Sequence, residues 1–180
     1  MSQDVPGIKP RRLRPYADFE PGPVKRALLV GCGAILTLVT LLATVRSAAG
    51  LSSIQLSDLS VWVLIHLFTV LPAIPLGAWL FFTPKGTRLH RRMGKLWCAL
   101  MFITAISTIF IRGMNDGAFS WIHIFTVLTL VGLPVAILRA RKGLVRLHVR
   151  VLTGLYLGAL VIAGGFAFFP GRVLWTMAFG

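Results

Sequence analysis

Five stretches of the chain contain no Asp, Glu, Lys or Arg, and each is apolar enough to lie in a lipid bilayer. A hydrocarbon core about 30 Å thick needs about 20 helical residues, because an α-helix rises about 1.5 Å per residue. Hydrophobic residues make up 56% of the sequence and charged residues only 13%, which excludes an ordinary soluble domain. The sequence therefore predicts an all-α, polytopic membrane protein with five transmembrane helices. The uncharged stretches are Ala27–Val45, Leu59–Pro84, Leu96–Ile111, Gly117–Leu138 and Val151–Gly171.

The flanking residues extend these stretches into helices at about 24–46, 59–83, 87–111, 118–138 and 145–169, within one transmembrane domain (24–180). The third helix is predicted to begin ahead of its uncharged stretch, because Arg91, Arg92 and Lys95 can extend toward the lipid headgroups. Residues 1–23 are basic and rich in proline. This composition predicts a flexible cytoplasmic tail.

The formal net charge of +14 is distributed along the chain in a way that predicts topology. Cationic residues cluster before the first helix, between the second and third, and between the fourth and fifth, whereas only Arg46, Arg112 and Arg172 lie at the opposite ends. Positive residues accumulate on the cytoplasmic side of a membrane protein. We therefore expect a cytoplasmic N-terminus and an external C-terminus, and this use of the charge leaves no reason to expect nucleic-acid binding.

A duplicated motif organises helices two to five. His66-Leu-Phe-Thr-Val-Leu71 recurs as His123-Ile-Phe-Thr-Val-Leu128, and each copy continues to a Lys-Gly loop and an Arg-Leu-His sequence. A fixed repeat of this kind indicates a duplicated two-helix unit. The two units enter the membrane in the same direction, as parallel repeats do, and we expect a four-helix bundle with helix one packed outside it.

The repeat places the four histidines of the chain in two tiers. His66 and His123 lie roughly 10 Å and 8 Å inside the outer ends of helices two and four. His90 and His148 lie at the cytoplasmic ends of helices three and five. Diagonal helices of a bundle can each present one imidazole to opposite faces of a haem, whose iron takes axial ligands on both sides. The pattern therefore predicts one or two b-type haems, with these histidines as iron ligands.

Other residues have predicted roles around the two tiers. Gly94 lies four residues after His90 on the same helical face, where a missing side chain leaves room for a ring. Thr69 and Thr126 follow their histidines by three residues and could fix the imidazole orientation. The candidate partners of inner haem propionates are Arg88, Arg91, Arg92, Arg146 and Arg150, and those of outer propionates are Arg46, Arg112 and Arg172.

Alternatives to haem remain open at this point. Histidines within membranes also make interhelical hydrogen bonds or transfer protons, and they bind other metals. Zinc is disfavoured because no Cys, Asp or Glu joins either tier. The same lack of carboxylates within the spans argues against hydrolysis and proton pumping, and no catalytic residue is predicted. Whether the protein is an enzyme stays open; a non-enzymatic membrane subunit or scaffold and a small transporter are the competing classes.

Several motifs resemble those of known families. Leu89-His-Arg-Arg-Met-Gly94, Ser120-Trp-Ile-His123, Arg146-Leu-His148 and Phe169-Pro-Gly-Arg172 resemble a family of bacterial membrane proteins catalogued as a domain of unknown function. The four-helix core is also similar to the cytochrome b561 group, in which histidines of helices two and four hold one haem and those of helices three and five hold another. After His148, no glycine stands at the place that matches Gly94.

The charge distribution and the histidine tiers, together with these resemblances, predict a location and a set of partners. A bacterial inner membrane protein with a cytoplasmic N-terminus and a periplasmic C-terminus is expected. Its predicted activity is electron transfer across or within the bilayer, with haem b as cofactor and a quinone or a small redox protein as partner. The lipid bilayer surrounds it, and membership of a larger membrane complex or a homo-oligomer is compatible with the sequence.

Overall fold

The computed structural model describes residues 22–112 and 120–180, and all its regular elements over these residues are helical. A 3-10 turn, Leu56–Asp58, precedes the second long helix. The fifth span is a composite of α5, a π-helical segment (Tyr156–Ile162) and α6. The predicted cytoplasmic tail lies outside the described residues, apart from residues 22 and 23. The α-helices are α1 (Pro23–Ala48), α2 (Val61–Phe82), α3 (Arg88–Phe110), α4 (His123–Arg141), α5 (Val145–Leu155), α6 (Ala163–Phe166) and α7 (Val173–Phe179).

In the part of the chain that the structure describes, five helical spans are long and apolar enough to cross a membrane. The predicted fold class is therefore confirmed. In the bundle, α2 packs against α3, α3 against α4, and α4 against α5. This neighbour order places α2 diagonal to α4, and α3 diagonal to α5. Helix α1 packs against α2 and against the π-helical segment, on the outside of the four-helix core.

The Lys-Gly loops of the two repeat units have the same backbone conformation at their glycines. The glycine of each Lys-Gly loop has a positive φ, +82° at Gly86 and +72° at Gly143, where a Cβ would be strained. The turns differ at the start of the following helix. Thr87 caps α3, because its hydroxyl accepts a hydrogen bond from the His90 backbone N–H at 3.1 Å, whereas Leu144 at the same place before α5 has no side-chain cap.

Three helix bounds differ from the sequence prediction by three residues or more. Helix α4 begins at His123 rather than at 118, because the preceding turn is closed by the Ser120 N–H, which donates to His123 Nδ1 at 3.2 Å. It continues to Arg141 rather than ending at 138, since cations in the last turn interact favourably with the helix dipole. The fifth span ends at Phe166 instead of 169, because Pro170 disfavours helix at the residue before it.

The middle of the bundle is locked by two hydrogen bonds onto α2. Trp97 Nε1 donates to the Ala73 carbonyl at 2.9 Å, and the Tyr156 hydroxyl donates to the Ile74 carbonyl at 3.2 Å. Gly77 makes this approach sterically feasible. A Cβ at Gly77 would lie 2.5 Å from Trp97 Nε1 and 2.8 Å from Tyr156 Cδ2. Helices α2 and α3 and the π-helical segment therefore meet at one glycine.

Tyr156 begins the π-helical segment and is fully buried. Its ring packs edge-on against Phe81, with the centroids 5.4 Å apart. Its hydroxyl also lies against Gly33 of α1, where any Cβ would collide with it. The wider turn of a π-helix shifts the register of the side chains that follow, and such segments are often found at functional sites.

A second apolar cluster closes the end of the bundle opposite the Lys-Gly loops. It consists of Ala43 of α1, Leu67 of α2, and Met177 and Ala178 of α7. The Ser52 hydroxyl donates to the Thr176 carbonyl at 3.2 Å and ties the α1–α2 connection to α7. The C-terminal helix is thus packed into the fold at this end.

Candidate functional site

A cavity of about 750 Å³ lies within the bundle. It is in the half that the topology prediction assigns to the external side of the membrane. We call it the outer cavity. Its walls come from α1, α2, α3, α4, the fifth span and α7, and they include His66, His123, Arg112 and Arg172. The remaining lining side chains are apolar or carry hydroxyls, and no carboxylate lines the cavity within the described residues. The outer cavity therefore combines two imidazoles and two guanidinium groups with largely apolar walls.

The His66 side chain, which comes from α2, is held by hydroxyl groups of α3. Its Nδ1 lies 3.1 Å from Thr108 Oγ1, 3.3 Å from Ser107 Oγ and 3.3 Å from the Thr104 carbonyl. Thr104 also donates its own hydroxyl to Thr69 Oγ1 at 2.7 Å, which adds a further tie between α2 and α3. The ring orientation of His66 is therefore fixed by its environment.

The same contacts determine which nitrogen of His66 carries the proton. The hydroxyls of Ser107 and Thr108 both donate to the Thr104 carbonyl, at 2.7 and 2.8 Å. His66 Nδ1 also contacts this carbonyl, which can only accept, so the contact assigns the proton to Nδ1. The other nitrogen, Nε2, then carries a lone pair, and it makes no hydrogen bond to the described part of the chain. His66 therefore offers one unused Lewis base on the wall of the outer cavity.

His123 uses both of its nitrogens in the structure. Its Nε2 lies 3.2 Å from the Thr108 carbonyl, which can only accept, so Nε2 carries a proton. Its Nδ1 lies 3.1 Å from the Ser120 carbonyl and accepts from the Ser120 N–H at 3.2 Å. His66 and His123 are thus brought together on one residue of α3, Thr108.

Sequence reasoning did not single out Thr108, Thr104 or Ser107. A signal for them exists in the sequence, because hydroxyl residues at i, i+3 and i+4 of an apolar helix share one face. The predicted orienting residues also lie in this region. Thr69 contacts Thr104, and Thr126 is buried on the cavity wall.

The second tier, His90 and His148, lies at the opposite end of the bundle. His90, His148 and Lys85 are neighbours. His148 Nδ1 donates to the Ala136 carbonyl of α4 at 2.9 Å, and His90 Nδ1 is buried without a hydrogen-bond partner. Lys85 is buried and donates to the Phe81 carbonyl at 2.9 Å. This tier therefore contains an orphaned imidazole nitrogen beside a second imidazole.

The remaining predicted site residues lie around this tier and at the surface. Nothing lies within 4 Å of the place that a Cβ would take on Gly94. Arg88 and Arg91 are exposed, as is Arg150 on α5. Arg88, Arg91, Arg92 and Lys95 together line a shallow concavity to which no histidine contributes. Arg46 is bonded to the Leu51 carbonyl at 2.9 Å and does not line the outer cavity.

Within residues 22–112 and 120–180, no three His, Cys, Asp or Glu side chains form a group that could hold a metal ion. Five membrane-spanning helices around an internal histidine-lined cavity define a polytopic helical membrane protein. Residues 63–176 match the family described as "Predicted membrane protein (DUF2306)". The chain belongs to this family, so the predicted resemblance to a membrane domain of unknown function is confirmed. No curated protein and no solved structure matches the chain significantly.

Proposed function

We propose that the protein is a b-type cytochrome-like membrane protein that binds haem in the outer cavity, where His66 and His123 would hold the iron. The observation that carries the proposal is the state of His66. Its Nδ1 donates to groups on α3, and its Nε2 lone pair remains unused on the cavity wall. Haem-ligating and metal-ligating histidines are commonly held in this way, because a hydrogen bond from one nitrogen fixes the tautomer and the ring orientation.

The composition of the outer cavity also fits haem. Haem is a largely apolar plate with two carboxylate groups, and the cavity pairs apolar walls with Arg112 and Arg172. Both guanidinium groups could pair with propionates, because carboxylates are preferred partners of arginine. When bound, the haem iron would supply one-electron transfer. The protein residues would orient the ring, neutralise its carboxylates and exclude water from its faces.

His123 fits as the second ligand if its proton moves from Nε2 to Nδ1, which also breaks the bond that Nδ1 accepts from the Ser120 N–H. Its Nε2–H must leave the Thr108 carbonyl and lose its proton before this nitrogen can donate a lone pair. Its Nδ1 would then donate to the Ser120 carbonyl, which already lies 3.1 Å away. The second ligand therefore has an acceptor in place for the proton that would move to Nδ1.

We further propose a second haem at His90 and His148. The buried, unpartnered Nδ1 of His90 supports a bound group near this tier, as does the Nδ1 bond from His148 to the Ala136 carbonyl, which leaves its Nε2 available. Gly94 leaves open space on the same helix face as His90. Arg88, Arg91 and Arg150 are the proposed propionate partners at this end.

The proposed role in the cell is electron transfer between these tiers in a bacterial inner membrane, with the N-terminus cytoplasmic and the C-terminus periplasmic. The redox partner is proposed to be a quinone or a small redox protein, and the chain could act within a larger complex or a homo-oligomer. The cation distribution supports the orientation, because most basic residues of the helical part lie in the two Lys-Gly loops or on the helix ends next to them.

The axial ligands can be tested by visible spectroscopy of purified variants. We expect His66→Ala and His123→Ala each to remove the reduced-minus-oxidised bands of the outer haem, while His90→Ala and His148→Ala leave them in place. All four variants should still insert into the membrane, since each removes only one side chain. A spectrum that is unchanged in the His66→Ala, His123→Ala double variant would overturn the outer-haem assignment.

One observation favours a second candidate function, a membrane scaffold or subunit with structural histidines. His66 ties α2 to α3, His123 ties α4 to α3, and His148 ties α5 to α4. Interhelical hydrogen bonds of this kind stabilise membrane bundles without any cofactor. Such a protein would purify without visible absorption, and replacing each histidine with Gln would leave its folding and partner binding nearly unchanged.

A further inference from the structure

The concavity lined by Arg88, Arg91, Arg92 and Lys95 is a second site, which shares Arg88 and Arg91 with the proposed propionate partners of the inner haem. Its volume is about 300 Å³, and all of its lining side chains are cationic. Arg88, Arg92 and Lys95 follow a spacing of i, i+4 and i+7, which places them on one face of α3. We call this set of four residues the basic concavity.

No protein anion balances the basic concavity within the described residues. Asp58 is the only carboxylate side chain in residues 22–112 and 120–180, and it lies in the 3-10 turn at the other end of the bundle. Arg91 donates to the Gly86 carbonyl at 2.6 Å. Over the same part of the chain, Arg88, Arg92 and Lys95 have no hydrogen-bond or ion-pair partner. The side chains are therefore available to an external anion.

The arrangement is unfavourable for α3 in the absence of an anion. Like charges at i and i+4 repel one another, and cations in the first turn of a helix oppose the positive end of its dipole. Helix α3 begins at Arg88 and has no acidic residue in its first turn. An anion bound to the basic concavity would relieve both effects.

The chemistry of the anion follows from what lies next to the cations. The exposed face of α3 continues from Lys95 into the predicted membrane span as apolar side chains, all of them exposed in the structure. They can lie along acyl chains, while the cations meet a phosphate at the level of the headgroups. A soluble anion would make no use of this apolar continuation. The exposed apolar residues are Leu96, Ala99, Phe102, Ile103 and Ile106.

We infer that the basic concavity binds the phosphate headgroup of an anionic phospholipid, whose acyl chains lie along the exposed face of α3. None of the four histidines lines the site, and Arg92 and Lys95 have no part in the proposed inner haem site. It would hold one lipid at the end of the span that also carries His90. Of its cations, Lys95 lies furthest into the predicted membrane span, and Arg88 lies nearest to the aqueous phase.

The test is native mass spectrometry of the full-length protein in a neutral detergent, titrated with phosphatidylglycerol or phosphatidylcholine. The variant is Arg88→Gln, Arg92→Gln, Lys95→Gln, which keeps good helix-forming residues at exposed positions. The matched control is Arg139→Gln, Arg141→Gln, Lys142→Gln, which removes the same charge from the α4–α5 connection at the same end of the bundle. Melting curves of both variants check that they fold.

We expect the first variant to lose at least about tenfold in affinity for phosphatidylglycerol, because each basic residue near an anionic lipid contributes substantially to binding. The control should change less than about twofold, and the weak binding of phosphatidylcholine should be the same in all three proteins. Equal losses in the two variants would mean diffuse attraction and would overturn the site. Competition by millimolar glycerol phosphate as effective as that by the lipid would also overturn it, because the site would then bind a free phosphate.

Discussion

His66 Nδ1 and Thr108 Oγ1 lie 3.1 Å apart, so a histidine of α2 is oriented by a hydroxyl of α3. The backbone carbonyl of the same threonine lies 3.2 Å from His123 Nε2. One residue that the sequence motif does not contain thus contacts both histidines of the repeat. This relationship makes Thr108 the most informative position for testing the outer cavity.

Replacing Thr108 with Val removes the hydroxyl that His66 contacts and leaves the carbonyl that His123 contacts. We expect the outer haem to be bound about 10-fold to 100-fold more weakly, because partners that orient a metal ligand typically contribute this much to affinity. Haem transfer to an apo-acceptor protein, followed by absorbance, measures the change. Thr129→Val is the control, since Thr129 lines the same cavity but donates to the Phe125 carbonyl of its own helix at 2.7 Å. Equal haem loss from both variants would contradict the role of Thr108.

Gly77→Ala should destabilise the bundle by about 1–3 kcal/mol, as overpacked core substitutions do. The added methyl group would enter the space occupied by Trp97 and Tyr156, which are bonded to α2 through their polar atoms. The midpoint of thermal unfolding in detergent reports the change. Gly31→Ala in α1, where nothing lies within 4 Å of the new methyl group, should keep or raise this midpoint. A Gly77→Ala protein as stable as the wild type would show that Trp97 and Tyr156 are not tightly packed against Gly77.

Met177→Ala tests whether α7 is an integral part of the fold. Met177 is 0% exposed in the second apolar cluster, and truncating a buried methionine costs about 2–5 kcal/mol of unfolding free energy. Phe179→Ala, on the same helix but 59% exposed, should change stability by less than about 0.5 kcal/mol. Chemical unfolding in detergent compares the two variants. If both variants unfold at the same denaturant concentration as the wild type, α7 does not stabilise the bundle.

Gly94→Ala separates the packing of the protein from the binding of an inner haem. In protein produced without haem, the substitution should leave stability unchanged or raise it, because no atom lies within 4 Å of the new methyl group. In protein produced with haem, the methyl group would occupy space on the face of α3 that carries His90, and we expect loss of the inner haem alone. An unaltered inner-haem spectrum would show that the space beside Gly94 is not used by the ring.

Much of the architecture could be read from the sequence, because bilayer thickness and the uncharged stretches constrain the spans directly. The Lys-Gly repeat predicted equivalent loops, and Gly86 and Gly143 do adopt the same left-handed conformation. The π-helical segment at Tyr156 was not predicted, since apolar periodicity barely changes when one helical turn widens by a residue. The packing of α7 onto α1 depends on contacts distant in sequence, which no local pattern reports.

The sequence predicted which histidines belong to the candidate site but not the contacts that they make. The repeat alone selects His66 and His123, and the structure places both on the wall of one cavity. The start of α4 at His123 depends on a single bond from the Ser120 N–H, which helix propensity does not reveal. The contact of both histidines with Thr108 requires the mutual arrangement of three helices. Tertiary contacts of this kind cannot be inferred from hydropathy or spacing.

The measurement that tests the central claim most directly is a count of haem per chain in the purified wild-type protein, made by the pyridine haemochrome assay alongside a reduced-minus-oxidised spectrum. The protein should be expressed with haem in ample supply. We expect sharp α and Soret bands and about two b-type haems per chain, or one if only the outer tier is loaded. A folded, colourless protein would contradict the cytochrome assignment and favour histidines that serve only as ties between helices.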